Sequence, residues 1–291
     1  MSPENEQIRP SAHQKKAKSV NILILINVIL FALTLFMETK GMDLFYLLAL
    51  FHPRSQHFEW HQLITHMFMH GGYFHIFMNM FILWMFGTVL ETLWGTKRFL
   101  FFYFFTGLGA AALHLAVNTY NLNQLENDSR QYISAPSYQE FVGFKETHID
   151  PLPPRYANEA DRLQNEWQQA PSDPRYAELS VQLVEQYLNS SVNRPTVGAS
   201  GAIFGLLLAF GVLFPNVYLY LYFLFPIKAK YFVIGLGIIE LYSGLFGQNV
   251  GIANFAHLGG MIFGFLLLKL WGDKAKPRKK QAEVYDDYEE L

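Results

Sequence analysis

Apolar residues in this chain come in long blocks. Six blocks approach the length that crosses a bilayer: residues 20–37, 75–94, 99–117, 200–214, 231–247 and 253–271. Each predicts a membrane helix. Between the first two, residues 43–72 read as an amphipathic segment. A further apolar and aromatic stretch, residues 217–226, is short for a span; Pro215 and Pro226 bracket it and Lys228 and Lys230 follow, so it is expected at the interface. Residues before the first block are polar, end in a Lys15, Lys16, Lys18 cluster, and lack a small-residue cleavage pattern. The first block therefore reads as a retained membrane helix rather than a cleaved signal.

The polar segments complete the expected layout. Residues 1–19 form a cytoplasmic segment, 20–117 hold spans one to three, 118–195 form a polar extracytoplasmic insertion, 196–271 hold spans four to six, and 272–291 form a cytoplasmic tail. Cationic clusters follow this arithmetic. Lys97 and Arg98 join the second and third spans, Lys228 and Lys230 the fourth and fifth, and Lys274, Lys276, Arg278, Lys279 and Lys280 follow the sixth, while residues 248–252 carry no Lys or Arg. With six spans all clusters share one face, which makes both termini cytoplasmic. The insertion is acid-biased, with Glu126, Asp128, Glu140, Glu146, Asp150, Glu159 and Asp161. Helices are expected near 156–169 and 173–189, the second with Leu179, Leu183, Tyr187 and Leu188 on one face. A cap over the site, a substrate-contact element and a loosely packed insertion all fit this pattern. The tail, basic and then acidic, reads as solvated and disordered.

Composition narrows the class. Hydrophobic residues make up 51%, with 27 Phe and 16 Tyr, and charged residues only 16%, against roughly 25% in soluble domains. A net charge of −2 gives no basic footprint for nucleic acid. The absence of cysteine excludes disulfides, thiolate metal sites and a cysteine nucleophile.

Two stretches carry candidate chemistry: Gly-Ala-Ser-Gly-Ala-Ile-Phe-Gly at 198–205 and Ala-His-Leu-Gly-Gly-Met-Ile-Phe-Gly at 256–264. Ser200 and His257 each sit near the start of an apolar helix. Gly201 and Gly205, and Gly260 and Gly264, have the small-xxx-small spacing that lets membrane helices approach closely. His257, Gly260 and Gly264 share one face, so packing the glycine faces would bring His257 to the depth of Ser200. A nucleophile with its base is one reading; small-residue packing and a structural histidine also fit. Free N–H groups and the helix dipole at Ser200 could hold an oxyanion, and the ring of Phe204 could stack on the imidazole. His75 and Asn79, four apart, present donors on one face. His66 and His70 have a metal-compatible spacing but no accompanying glutamate or other acidic ligand, and bonding loop backbone explains them as well. Glu91 lies near the end of the second span, suited to a helix end. Glu240, in mid-span, must be protonated, paired or hydrogen-bonded; neither acid has an obvious catalytic geometry in the sequence.

These motifs in combination resemble the rhomboid family of intramembrane serine proteases, over roughly 60–117 and 196–271: His70, His75 and Asn79 at the second span, Gly198-x-Ser200-Gly201 at the fourth, Ala256-His257-x-x-Gly260 at the sixth. The resemblance implies an all-α membrane protein, a six-transmembrane-helix rhomboid-like bundle with a long extracytoplasmic insertion before the fourth span. It implies a catalytic dyad of Ser200 and His257 without a third carboxylate. It further implies an oxyanion hole of the Ser200 backbone N–H, His75 and Asn79, with His70, Gly198, Gly201, Phe204 and Gly260 in support. No metal or other cofactor is implied. Partners would be transmembrane protein substrates within the lipid bilayer, cut in a water-filled cavity open to the extracytoplasmic side, with no nucleic acid. The compartment would be a bacterial cytoplasmic (inner) membrane. Departures are Trp60-His61 where a Trp-Arg pair is frequent, Phe204 where a tyrosine is common, and the length of the insertion; none removes a catalytic group. The rival class is a non-proteolytic membrane protein, a substrate-binding chaperone or a transporter. Neither has need of both a serine and a histidine at helix mouths.

Overall fold

A computed structural model of the chain describes residues 17–149, 154–221, 225–246 and 252–275. The expectations for Lys15, Lys16 and Asp150, for most of the loop 248–252, and for the tail beyond 275 lie outside the described residues. The apolar blocks are helical: α1 (Lys18–Glu38), α2 (Tyr73–Trp94, with a π turn at Leu83–Gly87), and α3 (Thr96–Ser134). After α3 come α4 (Tyr138–Phe144), α5 (Pro154–Gln169) and α6 (Pro174–Val192), then α7 (Ser200–Leu213). Two strands, β1 (Tyr218–Leu221) and β2 (Phe225–Lys228), pair antiparallel before α8 (Ala229–Phe246) and α9 (Ile252–Trp271). Among the described residues α1, α2, α3, α8 and α9 are long and apolar enough to cross a membrane. Helix α7 is apolar but has 14 residues, about 21 Å at the α-helical rise, short of a hydrocarbon core of about 30 Å.

Helix α3 outlasts its apolar run. Its first half packs in the bundle through Phe99, Phe102 and Tyr103, alongside Leu83, Leu90, Ile203 and Leu206. Its polar second half keeps one buried stripe, Leu122, Leu125, Ser129 and Tyr132, at helical spacing. Leu125 and Tyr132 of that stripe pack into a second core with Phe141, Trp167, Leu183, Val184 and Tyr187. Residues 118–195 are therefore a helical lobe built on the end of α3, and the two helices expected within them are α5 and α6. Helix α6 starts where Asp173 caps it: the Asp173 carboxylate accepts from the Arg175 N–H at 3.0 Å, and Pro174 follows in the first turn.

Buried polar residues tie the ends of the bundle together. Glu91 accepts from the Ser19 and Val20 N–H groups (3.1 and 3.0 Å) and from the Thr96 hydroxyl (2.7 Å). A carboxylate thus satisfies donors that α1 cannot use internally and meets the positive end of its dipole. The segment between α1 and α2 is organised around Gln62, which is fully buried. Its Oε1 accepts from the Phe51 and Glu59 N–H groups and its Nε2 donates to the His57 and Tyr46 carbonyls.

Candidate active site

Small residues bring α3, α7 and α9 into backbone contact. A Cβ on Gly260 would overlap the carbonyl of Gly201, one on Gly201 would overlap Ala110, and one on Gly264 would press against the Gly205 backbone at 3.3 Å. Larger side chains at these positions would force the helices apart. The close approach sets Ser200, at the first position of α7, beside His257, one turn into α9.

The serine and the histidine touch. His257 Nε2 lies 2.8 Å from Ser200 Oγ. One face of the imidazole is stacked on Phe204, with centroids 4.1 Å apart and planes 4° from parallel. On the far edge of the ring, Nδ1 lies 3.0 Å from Glu240 Oε1, close enough for an ion pair but off the line of a hydrogen bond. The other oxygen of Glu240 accepts from the Asn254 side-chain amide. Helix α7 has no side-chain cap, so its first N–H groups, including that of Ser200, have no intrahelical acceptor. An Nε2 that accepts from Ser200 can take its proton, and uncapped N–H groups can receive an oxyanion.

Opposite the histidine stand the residues of α2. Gly198 has φ 122°, a region that disfavours side chains. A Cβ there would sit 2.9 Å from His75 Cε1 and Nε2, so the glycine is what lets the His75 ring reach the start of α7. The Gly71 N–H donates to His75 Nδ1 over a long 3.4 Å, which leaves the proton on Nε2, the nitrogen facing Gly198. Asn79, one turn along α2, is buried, and its Nδ2 has no hydrogen-bond partner among the described residues. His70 packs edge-on to His75 at 5.0 Å. Neither of its ring nitrogens makes a well-formed hydrogen bond, although the Phe68 carbonyl stands nearby. Burial, the charge of His75 and that carbonyl, the last acting in the opposite sense, bring the His70 pKa down to about 4.

The chain leading into Ser200 is pinned. Thr196 and Leu50 exchange backbone hydrogen bonds of 2.9 and 2.8 Å, the Thr196 hydroxyl is 2.7 Å from His114 Nε2, and the Gly198 N–H donates to the His66 carbonyl at 2.9 Å. His66 itself holds the Gln62 carbonyl through Nδ1 at 2.8 Å. Burial, only partly offset by that bond, lowers its pKa to about 4. A cavity of about 30 Å³ lies behind Ser200, lined in part by His66, His114 and Thr196, room for one water. Among the described residues no group of three His, Asp or Glu is arranged to hold a metal ion.

Four contributors carry no assignment in the sequence. Glu240 had been noted only as an acid needing a partner; Asn254, three residues before His257 and so on its face of α9, carried no signal. His114 and Thr196, which hold the entry to α7, were equally silent.

Comparison with known proteins covers the same regions. The family profile described as Rhomboid domain matches residues 57–125 and 177–273. The unmatched 126–176 supply most of the second core. Rhomboid-like protein 11, chloroplastic, of Arabidopsis thaliana is 32% identical over 97 residues, which are 33% of this chain and 32% of that protein. The chain thus spans less than half the length of the relative it matches. No solved structure matches the chain.

Proposed function

Because the chain belongs to the rhomboid family, matched over more than half its length, we propose that it is an intramembrane serine endopeptidase that cuts transmembrane segments of other proteins. The observation that carries this reading is the 2.8 Å contact between His257 Nε2 and Ser200 Oγ. Ser200 attacks the scissile carbonyl while His257 takes its proton. The tetrahedral oxyanion is received by the Ser200 backbone N–H and by His75 and Asn79. As the intermediate collapses, His257 returns the proton to the leaving amine, leaving an acyl-serine. A water then repeats the sequence with His257 as base, releasing the second fragment and restoring the serine.

The same proposal includes the membrane arrangement. The protein crosses six times, with α7 as the short fourth span. Both termini are cytoplasmic, the lobe of residues 118–195 is extracytoplasmic, and the membrane is a bacterial inner membrane. The apolar length of five helices supports bilayer insertion. Pairing of α7 with α9 through glycine supports a short span held wholly by its neighbours. A short α7 also sets its first turn below the membrane surface, where water can reach Ser200 from the lobe side.

The test uses purified protein in detergent with a transmembrane reporter substrate and a fluorophosphonate probe. Wild type cleaves and is labelled; Ser200→Ala does neither. Cleavage retained by Ser200→Ala sinks the mechanism, and folded wild type that neither cleaves nor labels favours a binding protein instead.

A further inference from the structure

Glu240 is the one acid in the interior of α8, and its placement is specific. Its side chain is 12% exposed and that of His257 18%. A carboxylate in a membrane helix is costly unless paired, and many partners could serve. This one meets the ring nitrogen of His257 that Ser200 does not use, at 3.0 Å, while its second oxygen is held by the Asn254 amide. Asn254 and His257 lie three apart on α9, so one helix presents both groups to the same carboxylate. The imidazole is thus bounded on three sides: Phe204 on a face, Ser200 at Nε2, Glu240 at Nδ1.

We propose that Glu240 is a positioning residue for the reaction: it accepts a hydrogen bond from Nδ1–H of His257, fixes the tautomer whose Nε2 lone pair faces Ser200, and stabilises the imidazolium formed on proton transfer. Asn254 holds the carboxylate for that task. The chain then carries a serine–histidine–glutamate relay of orientation, with the acid supplied from a neighbouring membrane helix. No proton passes to Glu240; the proton leaves Ser200 Oγ, resides on Nε2, and goes to the leaving amine. The 3.0 Å approach is within hydrogen-bond distance but off line, and such bonds are commonly misaligned in enzymes without substrate. With both side chains mostly buried, the carboxylate is only partly screened from a positive charge developing on the ring. The titratable groups facing His257 are Glu240 from α8 and His75 from α2, whose charge also reaches the ring; of the two only Glu240 favours the imidazolium.

The amide variant is diagnostic. In Glu240→Gln, Asn254 still donates to the carbonyl oxygen, which turns the new NH2 toward His257 Nδ1. That group donates where the carboxylate accepted, so the ring proton is driven to Nε2 and the base is disabled, much as the amide variant of a triad aspartate traps the wrong tautomer.

The proposal rests on the serine–histidine reading, and the experiment separates the two. Wild type, Ser200→Ala, Glu240→Gln and Asn254→Ala are reconstituted in vesicles; kcat and KM are measured on the transmembrane reporter, thermal midpoints are recorded, and 15N shifts of labelled histidine read the tautomer of His257. Glu240→Gln is expected to keep its thermal midpoint and to hold KM near the wild-type value. It is also expected to lose kcat by at least about tenfold and to move the ring proton from Nδ1 to Nε2. A folded Glu240→Gln with unchanged kcat and tautomer overturns the proposal. Should Glu240→Gln not fold, Asn254→Ala decides: a several-fold lower kcat at unchanged KM supports it, and an unchanged kcat overturns it. Cleavage by Ser200→Ala would instead overturn the underlying serine mechanism.

Discussion

The two sides of the Ser200 hydroxyl are built on opposite principles. Toward α8 and α9, the ring of His257 is contacted at both edges and on one face, although its Nδ1, 3.0 Å from Glu240 Oε1, makes no well-formed hydrogen bond, and the carboxylate is held in turn by Asn254. Toward α2 and the turn before it, buried polar groups have no such neighbour: Asn79 Nδ2 and the ring of His70 make no well-formed hydrogen bond among the described residues. A base must be oriented before the reaction begins, which favours a closed network. An oxyanion exists only during the reaction, so groups meant for it must stay unengaged until then. On the proposed mechanism, the difference teaches that one site can surround its base with contacts and leave its receiving donors open.

The largest expected break of this contrast is Asn79→Leu. An apolar side chain of similar size removes an open donor. Activity is expected to fall by about a hundredfold in kcat, about 3 kcal/mol, while the thermal midpoint holds or rises. A midpoint that falls along with activity would mean that Asn79 is a structural hydrogen-bonding residue and that the two sides are alike.

Acid is the next lever. His66 and His70 are neutral in the fold, with pKa values of about 4 caused first by burial, against about 6.5 when unfolded. The unfolded chain binds more protons between those values, so stability is complete above pH 6.5 and is lost as pH falls toward 4. Each histidine is expected to lose about 2 kcal/mol between pH 7 and pH 5. Unfolding monitored by tryptophan fluorescence over that range should show it, and His70→Phe should flatten the slope by roughly half. A slope unchanged in His70→Phe would place the acid sensitivity elsewhere.

The smallest effect sharpens the closed side. Phe204→Leu removes the ring stacked on His257, a contact worth about 1 kcal/mol. A roughly fivefold lower kcat is expected if Glu240 and Ser200 still hold both edges of the imidazole. Loss by more than about a hundredfold would show that stacking, and not the edge contacts, orients the base.

How much of this was legible in the sequence varies by element. The apolar blocks mark the helices of the bundle within a few residues, because burying a membrane helix requires an uninterrupted apolar run. The polar half of α3 is another matter. Its buried stripe of Leu122, Leu125, Ser129 and Tyr132 is narrow and partly polar, so the segment reads as loop until the second core is seen to cover it. The strands β1 and β2 were hidden for a similar reason: four-residue strands of aromatic and aliphatic side chains are indistinguishable from an interfacial run by composition.

The candidate site divides along the same line. By itself the sequence determined that a serine and a histidine open two glycine-faced apolar helices, because helical periodicity and the absence of a Cβ are local properties. It also put His75 and Asn79 on one face of α2 by their spacing. Only the tertiary structure decided what stands at the second nitrogen of His257. The rotation of α8 about its own axis, which no local pattern encodes, aims Glu240 at that nitrogen rather than at the lipid. Glycine contact among α3, α7 and α9 sets the depth of the site, and side-chain hydrogen bonds from a different helix set its chemistry.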